Sequence, residues 1–119
     1  MITTEKFNEI FNETIAKCSE LLGIKANDYA EDNDRLHNFI NASVLMDCTP
    51  VKAVAGMMVK HTISVYDYVN RHESGADISM EQWDEKILDS INYLILLRAA
   101  VMEDNLLYMK SDEVKSDER

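Results

Sequence analysis

Polar side chains stand among aromatic and apolar ones in several stretches of the chain, and these are the residues that could bind a ligand. Burying such groups costs free energy unless they pair with each other or bind something else. On a predicted helix, Glu85, Asp89 and Asn92 are spaced four and then three residues apart, so they share a face. The full candidate set is Lys25, Asp28, Tyr29, Asn38, Phe39, Lys60, His61, Glu85, Asp89, Asn92 and Tyr93.

Each of these residues also has a purely structural explanation. Lys25 and Asp28 would suit a solvated turn, and Lys60 with Asp89 could form a structural ion pair. Glu85 lies near a helix start, where a carboxylate complements the helix dipole. The set as a whole is harder to explain in this way, because a polar group next to an aromatic residue recurs in every segment after the first.

The composition limits the classes of partner. The 119 residues include 12 Lys plus Arg and 22 Asp plus Glu, so the formal net charge is −10. This length fits a single domain. An acidic surface repels phosphate backbones and anionic lipid, so we expect neither a nucleic-acid polymer nor a membrane as partner. The charge does not exclude a small phosphorylated ligand, because a few local cations can hold one.

Hydrophobic periodicity predicts an all-α fold with four helices. Three Gly and one Pro in the chain favour long helices over many strands and turns. Thr49 and Pro50 give the third helix a cap and a first residue, and Ser79 with Gln82 forms a capping box for the fourth. We expect one helical domain over 1–109 and a charged, disordered tail over 110–119. The first predicted helix ends at Gly23 and is followed by a polar loop over 24–33. The second runs from about Asp34 until Cys48 breaks it, the third from Pro50 to about Arg71, and the fourth from about Met80 to Met109.

The fourth predicted helix is apolar on nearly all sides in its middle, from Ile91 to Met102. In so small a domain this favours a subunit interface, so we expect a homo-oligomer. The longest apolar run, 93–97, is too short to cross a bilayer. The two cysteines form no C-x-x-C, and no signal-peptide run begins the chain, so a cytoplasmic setting is expected.

Four motifs together resemble those of a known family. They are Lys25-x-x-Asp28-Tyr29, Asn38-Phe39, Lys60-His61 and Glu85-x-x-x-Asp89-x-x-Asn92-Tyr93. They are similar to motifs of the nucleotide-modification-associated proteins of phage and bacteria, which resemble the all-α MazG-like nucleotide pyrophosphatases. The match covers about residues 20–103. It implies a four-helix MazG-like bundle, a homo-oligomer (dimer or tetramer), a nucleotide pocket between helices and, for a phage protein, the host cytoplasm.

The enzymes of this family bind Mg²⁺ with a carboxylate cluster that includes a Glu-x-x-Glu pair, and this chain departs from that pattern. Helix two has no Glu, helix three has no Glu-x-x-Glu, and Glu85 and Asp89 are four residues apart. Two carboxylates could still hold one Mg²⁺ whose octahedron is completed by waters. The resemblance therefore leaves Glu85 and Asp89 as the candidate metal ligands and catalytic residues of an enzyme.

Two main functions and one weaker one follow. In the first, the chain binds a nucleotide or nucleotide-derived signal and sequesters it without cleavage. Lys25, Lys60 and His61 would hold phosphate, and Asn38 and Asn92 would orient the ligand. Asp28 would also contribute, and the rings of Tyr29, Phe39 and Tyr93 could stack a base. The second function is a Mg²⁺-dependent nucleotide pyrophosphohydrolase, and the third is a structural helical oligomer.

Overall fold

The chain folds into four helices, α1 (Thr4–Tyr29), α2 (His37–Met46), α3 (Pro50–Glu73) and α4 (Met80–Asp117). The structure is a computed structural model. It describes residues 1–29 and 34–117, with the side chains of 1–23, 34–107 and 109. The described residues form no β-sheet, so the all-α prediction is confirmed.

Two of the predicted helix starts are built by capping side chains. The Thr49 hydroxyl accepts a hydrogen bond from the Lys52 N–H at 3.1 Å, with Pro50 at the first turn of α3. At the start of α4, the Ser79 N–H donates to Gln82 Oε1 at 3.0 Å and the Gln82 N–H donates to Ser79 Oγ at 3.1 Å. These reciprocal bonds satisfy amide groups that a helix start leaves unpaired.

The predicted end of the first helix was wrong. α1 continues through Gly23 to Tyr29, so the backbone of Lys25, Asp28 and Tyr29 is helical instead of forming a polar loop. A single glycine inside a helix costs only about 1 kcal/mol relative to alanine, and no proline follows to stop the helix. Residues 30–33 of the predicted loop lie outside the described part of the chain.

The other helix boundaries differ from prediction by smaller amounts. α2 begins at His37, because the preceding turn uses the Asp34 carboxylate to accept the Leu36 N–H at 3.2 Å. α3 ends at Glu73, two residues later than expected. α4 ends at Asp117, eight residues beyond Met109. The disorder expected of the tail over 110–119 stays a prediction.

The core lies where α3 and α4 pack side by side and α2 crosses them. Val54 on α3 is fully buried, and Leu96 and Ala100 on α4 lie in the same apolar cluster. Leu36 and Phe39 join this cluster from the start of α2. Because α3 and α4 run antiparallel, this end of the pair lies opposite the turn that connects them.

Aromatic and cationic side chains join α3 to α4 near their connecting turn. The Trp83 ring meets the Tyr68 ring edge to face at a centroid distance of 5.6 Å and the His72 ring at 5.9 Å. The Arg71 guanidinium and the Lys86 ammonium lie 5.1 and 5.6 Å from the centre of the Tyr68 ring. Such contacts add to area burial and fix the register of the helix pair.

α2 and α3 meet at a sharp bend of 94°. Asp47 ends α2 in the left-handed conformation, with φ at 52°. Within the described residues, no single helix is long and apolar enough to cross a membrane, although α2 and α3 together pass that test by length and composition.

The molecule is elongated. It measures 64 × 34 × 25 Å, and its radius of gyration is 18.4 Å, against about 13–14 Å for a compact domain of this length. α1 is attached to α4 by an ion pair at 3.3 Å between Lys17 Nζ and Asp84 Oδ2. The Glu13 and Asp84 carboxylates raise the pKa of Lys17. Phe7 and Phe11, on the first turns of α1, are 60% and 57% exposed.

Candidate ligand-binding site

A cavity of about 210 Å³ lies where α2, α3 and α4 converge beside α1. It brings together six residues that the sequence had singled out. Each of three helices supplies two of them from consecutive positions. The pairs are Asn38 and Phe39 on α2, Lys60 and His61 on α3, and Asn92 and Tyr93 on α4.

Asn92 is the most unusual residue of this wall. Its side chain is 2% exposed, and neither Oδ1 nor Nδ2 has a hydrogen-bond partner among the described residues. A buried polar group without a partner costs about 1–3 kcal/mol. Its neighbours Met57 and Leu96 also line the cavity and offer no hydrogen bonds from their side chains. Asn92 thus lines the cavity with an amide whose acceptor and donor groups are both buried and unpaired among the described residues.

The aromatic residues of the wall are fixed against one another. The His61 ring stacks on the Tyr93 ring at a centroid distance of 4.6 Å and an interplanar angle of 29°. The Phe39 ring meets Tyr93 edge to face at 6.3 Å. Phe39 is only 7% exposed and belongs to the core cluster, so little of its ring remains for a ligand. Tyr93 and His61 are the rings that border the opening.

Two cations, Lys60 and Arg35, and the imidazole of His61 line the cavity in a chain whose net charge is strongly negative. Lys60 and His61 were predicted, whereas Arg35 was not. The Arg35 guanidinium donates from Nη2 to the carbonyl oxygen of Leu22 on α1 at 3.4 Å, which holds it at the site. In the sequence, Arg35 precedes α2 and belongs to none of the four motifs. The fold brings it to the cavity that Lys60 also lines.

Asp89 lies behind His61 instead of on the cavity wall. Its Oδ2 is 3.7 Å from His61 Nδ1, and the two side chains are 17% and 16% exposed. This distance is within ion-pair range but longer than a hydrogen bond. Asp89 therefore contributes a negative charge beside the imidazole.

The described residues contain no group of three His, Cys, Asp or Glu side chains that could hold a metal ion. Glu85 lies one turn before Asp89 on α4, is exposed and does not line the cavity. The magnesium and catalytic roles of Glu85 and Asp89 stay predictions.

The first motif is placed only in part. Lys25, Asp28 and Tyr29 belong to the backbone of α1, but their side chains lie outside the described part of the chain. Leu22, on the preceding turn of the same helix, lines the cavity. The ligand-binding roles expected of these three residues stay predictions.

Four lining residues were not among the candidates, namely Leu22, Arg35, Met57 and Leu96. Two of them carried a signal in the sequence. Met57 precedes Lys60 and His61 by three and four residues, and Leu96 follows Asn92 by four, so each shares a helix face with a candidate.

No family model, curated protein or solved structure matches this chain. The functional argument therefore depends on the cavity and the residues that line it.

Proposed function

We propose that the chain binds a small phosphorylated nucleotide or nucleotide-derived signal in this cavity and holds it without cleavage. The observation that carries the proposal is the buried and unpartnered amide of Asn92. A site built to hydrogen-bond a ligand leaves its polar groups unsatisfied when the ligand is absent, and the folded chain tolerates that cost.

The lining of the cavity suits the two parts of a nucleotide. Met57 and Leu96 supply apolar lining for a base, and the neighbouring Asn92 side chain carries one donor and one acceptor group that would bind its edge. Lys60 is exposed and lines the cavity with Arg35, and these cations would bind phosphate through charge-assisted hydrogen bonds. The Asn38 amide adds a further polar group to the lining.

The size of the cavity argues for partial enclosure of the ligand. Its 210 Å³ is less than the about 300–1,000 Å³ typical of sites that enclose a drug-sized molecule. A base would fill much of this volume, while ribose and phosphates would extend out of the cavity past the cations.

Binding without cleavage is supported by the use that the fold makes of its carboxylates. Hydrolysis of a phosphoanhydride requires that the charge on several oxygens be neutralised. The enzymes of the MazG-like family, which this sequence resembles, do so with Mg²⁺ bound to clustered carboxylates. Here the largely buried carboxylate of Asp89 lies 3.7 Å from the imidazole of His61, and no described carboxylate lines the cavity. Sequestration of a signalling nucleotide is a role that requires only a binding site.

The test is a binding and turnover assay on the purified chain. The protein is incubated with nucleoside triphosphates, cyclic nucleotides and ADP-ribose-type nucleotides, with and without Mg²⁺, and heat-released ligand is analysed by chromatography. Recovery of an intact nucleotide supports the proposal. Mg²⁺-dependent turnover that Asp89→Ala abolishes would establish the pyrophosphohydrolase instead. Retention of no nucleotide would leave the structural oligomer.

A matched pair of variants locates the binding. Lys60→Ala removes a cation from the cavity, whereas Lys52→Ala removes one on the same helix about 12 Å away along its axis. We expect the first to weaken retention of the phosphorylated ligand by about tenfold, the effect of one charge-assisted contact. The second should leave retention unchanged. Equal losses in both variants would place the ligand elsewhere.

A further inference from the structure

The second half of α4 carries an exposed apolar stripe that no other described helix covers. Its five members are spaced four, three, four and three residues apart, namely Ile95, Ala99, Met102, Leu106 and Met109. The side chains of Ile95 and Met102 are 46% and 48% exposed, and those of Leu106 and Met109 are 64% and 60% exposed.

This spacing differs from that of the face that α4 turns towards its own bundle. The inward face uses Asn92, Leu96 and Ala100, which are four residues apart and buried. The exposed stripe repeats every seven residues, which is the a and d pattern of a coiled coil with about 3.5 residues per turn. A side chain at such a position inserts between four side chains of a facing helix, and none of the described helices of a single copy faces it in this way.

Charges beside the stripe indicate which helix would face it. With Ile95 and Met102 at d positions and Ala99 and Leu106 at a positions, Arg98 occupies a g position and Glu103 the following e position. Those two positions, five residues apart, face each other across a parallel pair of helices. Among the described residues neither forms an ion pair, and the Arg98 Nη1 contact is with Met102 Sδ at 3.0 Å.

We propose that a second copy of the chain packs its α4 against this one, in parallel and about a twofold axis, along residues 95–109. The apolar stripes then bury each other, and Arg98 of each copy faces Glu103 of the other. A two-fold arrangement presents the same self-complementary surface on both copies. The seam spans two heptads, fewer than the three or four that mark a coiled coil in a sequence alone. Leu96 and Ala100, which are buried in the core, hold the first heptad of the seam in place, so the pair forms without a longer seam.

Neighbouring leucines on α4 provide the decisive experiment. Leu106 lies in the stripe and Leu107 lies outside it, yet their side chains are 64% and 60% exposed. The molar mass of the full chain is measured by light scattering over a concentration series. We expect a mass of twice 13.7 kDa for the unmodified chain and for Leu107→Lys, and the single mass for Leu106→Lys. Circular dichroism establishes that both variants remain helical.

Charge reversal tests the parallel direction. Arg98→Glu and Glu103→Arg should each weaken dimer formation, and the double variant should restore it, because the facing charges are exchanged. A chain that is monomeric at every concentration overturns the proposal, as does equal loss of the dimer in the Leu106 and Leu107 variants. Failure of the double variant to recover overturns the parallel pairing. The ligand assay does not enter these measurements, so their outcome is separate from that of the proposed function.

Discussion

At the scale of single residues, the Asn92 side chain is unfavourable for folding and would be useful for binding a ligand. Its amide is fully buried in a residue that lines the cavity, and no described residue satisfies either of its polar groups. Such a residue lowers the stability of the unliganded fold. A purely structural position would be occupied at lower cost by an apolar side chain.

The substitution Asn92→Leu therefore has an unusual expected result. It removes both unsatisfied groups, and the adjoining cavity accommodates the larger side chain, so we expect a gain of about 1–3 kcal/mol in the free energy of unfolding. Ligand retention should be lost. Urea unfolding followed by circular dichroism measures the first effect. A loss of stability would mean that the amide has partners in the folded chain and would remove the main support for the site.

The two cysteines should differ in reactivity. Cys18 is 2% exposed, and burial raises the pKa of its thiol, so the thiolate that reacts with alkylating agents is disfavoured. Cys48 is partly exposed at the α2–α3 turn. We expect one fast and one slow thiol in timed alkylation with iodoacetamide, with Cys48 identified as the fast site by peptide mapping. Equal rates would indicate that α1 detaches readily from the bundle.

The same shift makes stability depend on alkaline pH. Because the pKa of Cys18 is raised in the folded chain, the folded state binds the thiol proton more tightly than the unfolded state does. This contribution is fully present below the unfolded pKa and is lost as the pH rises through the folded value. In Cys18→Ala, the decline of stability at alkaline pH should be shallower than in the unmodified chain.

At the scale of the helices, the sequence predicted best those ends that are marked by specific side chains. Thr49 with Pro50 and Ser79 with Gln82 are local signals, because each cap is a hydrogen bond between residues three positions apart. The end of α1 had no such signal. Gly23 was taken as a stop, but a glycine ends a helix only where the backbone turns to a left-handed conformation, and the helix passes straight through it.

The cap of α3 can be tested directly. Thr49→Ala removes the side-chain oxygen that accepts the Lys52 N–H, and we expect it to lower the free energy of unfolding by about 1 kcal/mol. Thr49→Ser keeps the oxygen and should lose much less. Thr62→Ala, an exposed change within the same helix whose hydroxyl donates to the Met58 carbonyl instead of capping an N–H, is the control for loss of a threonine that is not a cap. Equal effects at Thr49 and Thr62 would contradict a capping role.

As with the helix ends, some residues of the site could be predicted from the local sequence, and others only from the fold. Asn38, Lys60 and Asn92 stood out in the sequence because polar residues interrupted apolar helix faces, and the cavity brings them together. Arg35 could not be found in this way, since its place depends on the path of the chain between α1 and α2. Asp89 stood out as well, but its position behind His61 follows from the register of α3 against α4.

At the scale of the whole molecule, the elongated shape and the exposed stripe on α4 have one explanation. In a single copy Leu106, Leu107 and Met109 are 60–64% exposed, and the radius of gyration is well above that of a compact domain. Helices that pack against nothing are marginal in water, because most helical stability in proteins comes from an apolar face buried in tertiary contact. The dimer would supply that contact.

Hydrogen exchange distinguishes a packed from an unpacked α4 along its length. In monomeric Leu106→Lys, backbone amides after Glu103 should exchange rapidly, because this part of the helix opens without disturbing the core. In the unmodified chain, protection should increase with protein concentration as far as Met109, where the stripe ends, and should stay low over 110–117. Equal protection of residues 104–109 in the two proteins would mean that the exposed end of α4 is stable alone. The second copy would then have no structural role there.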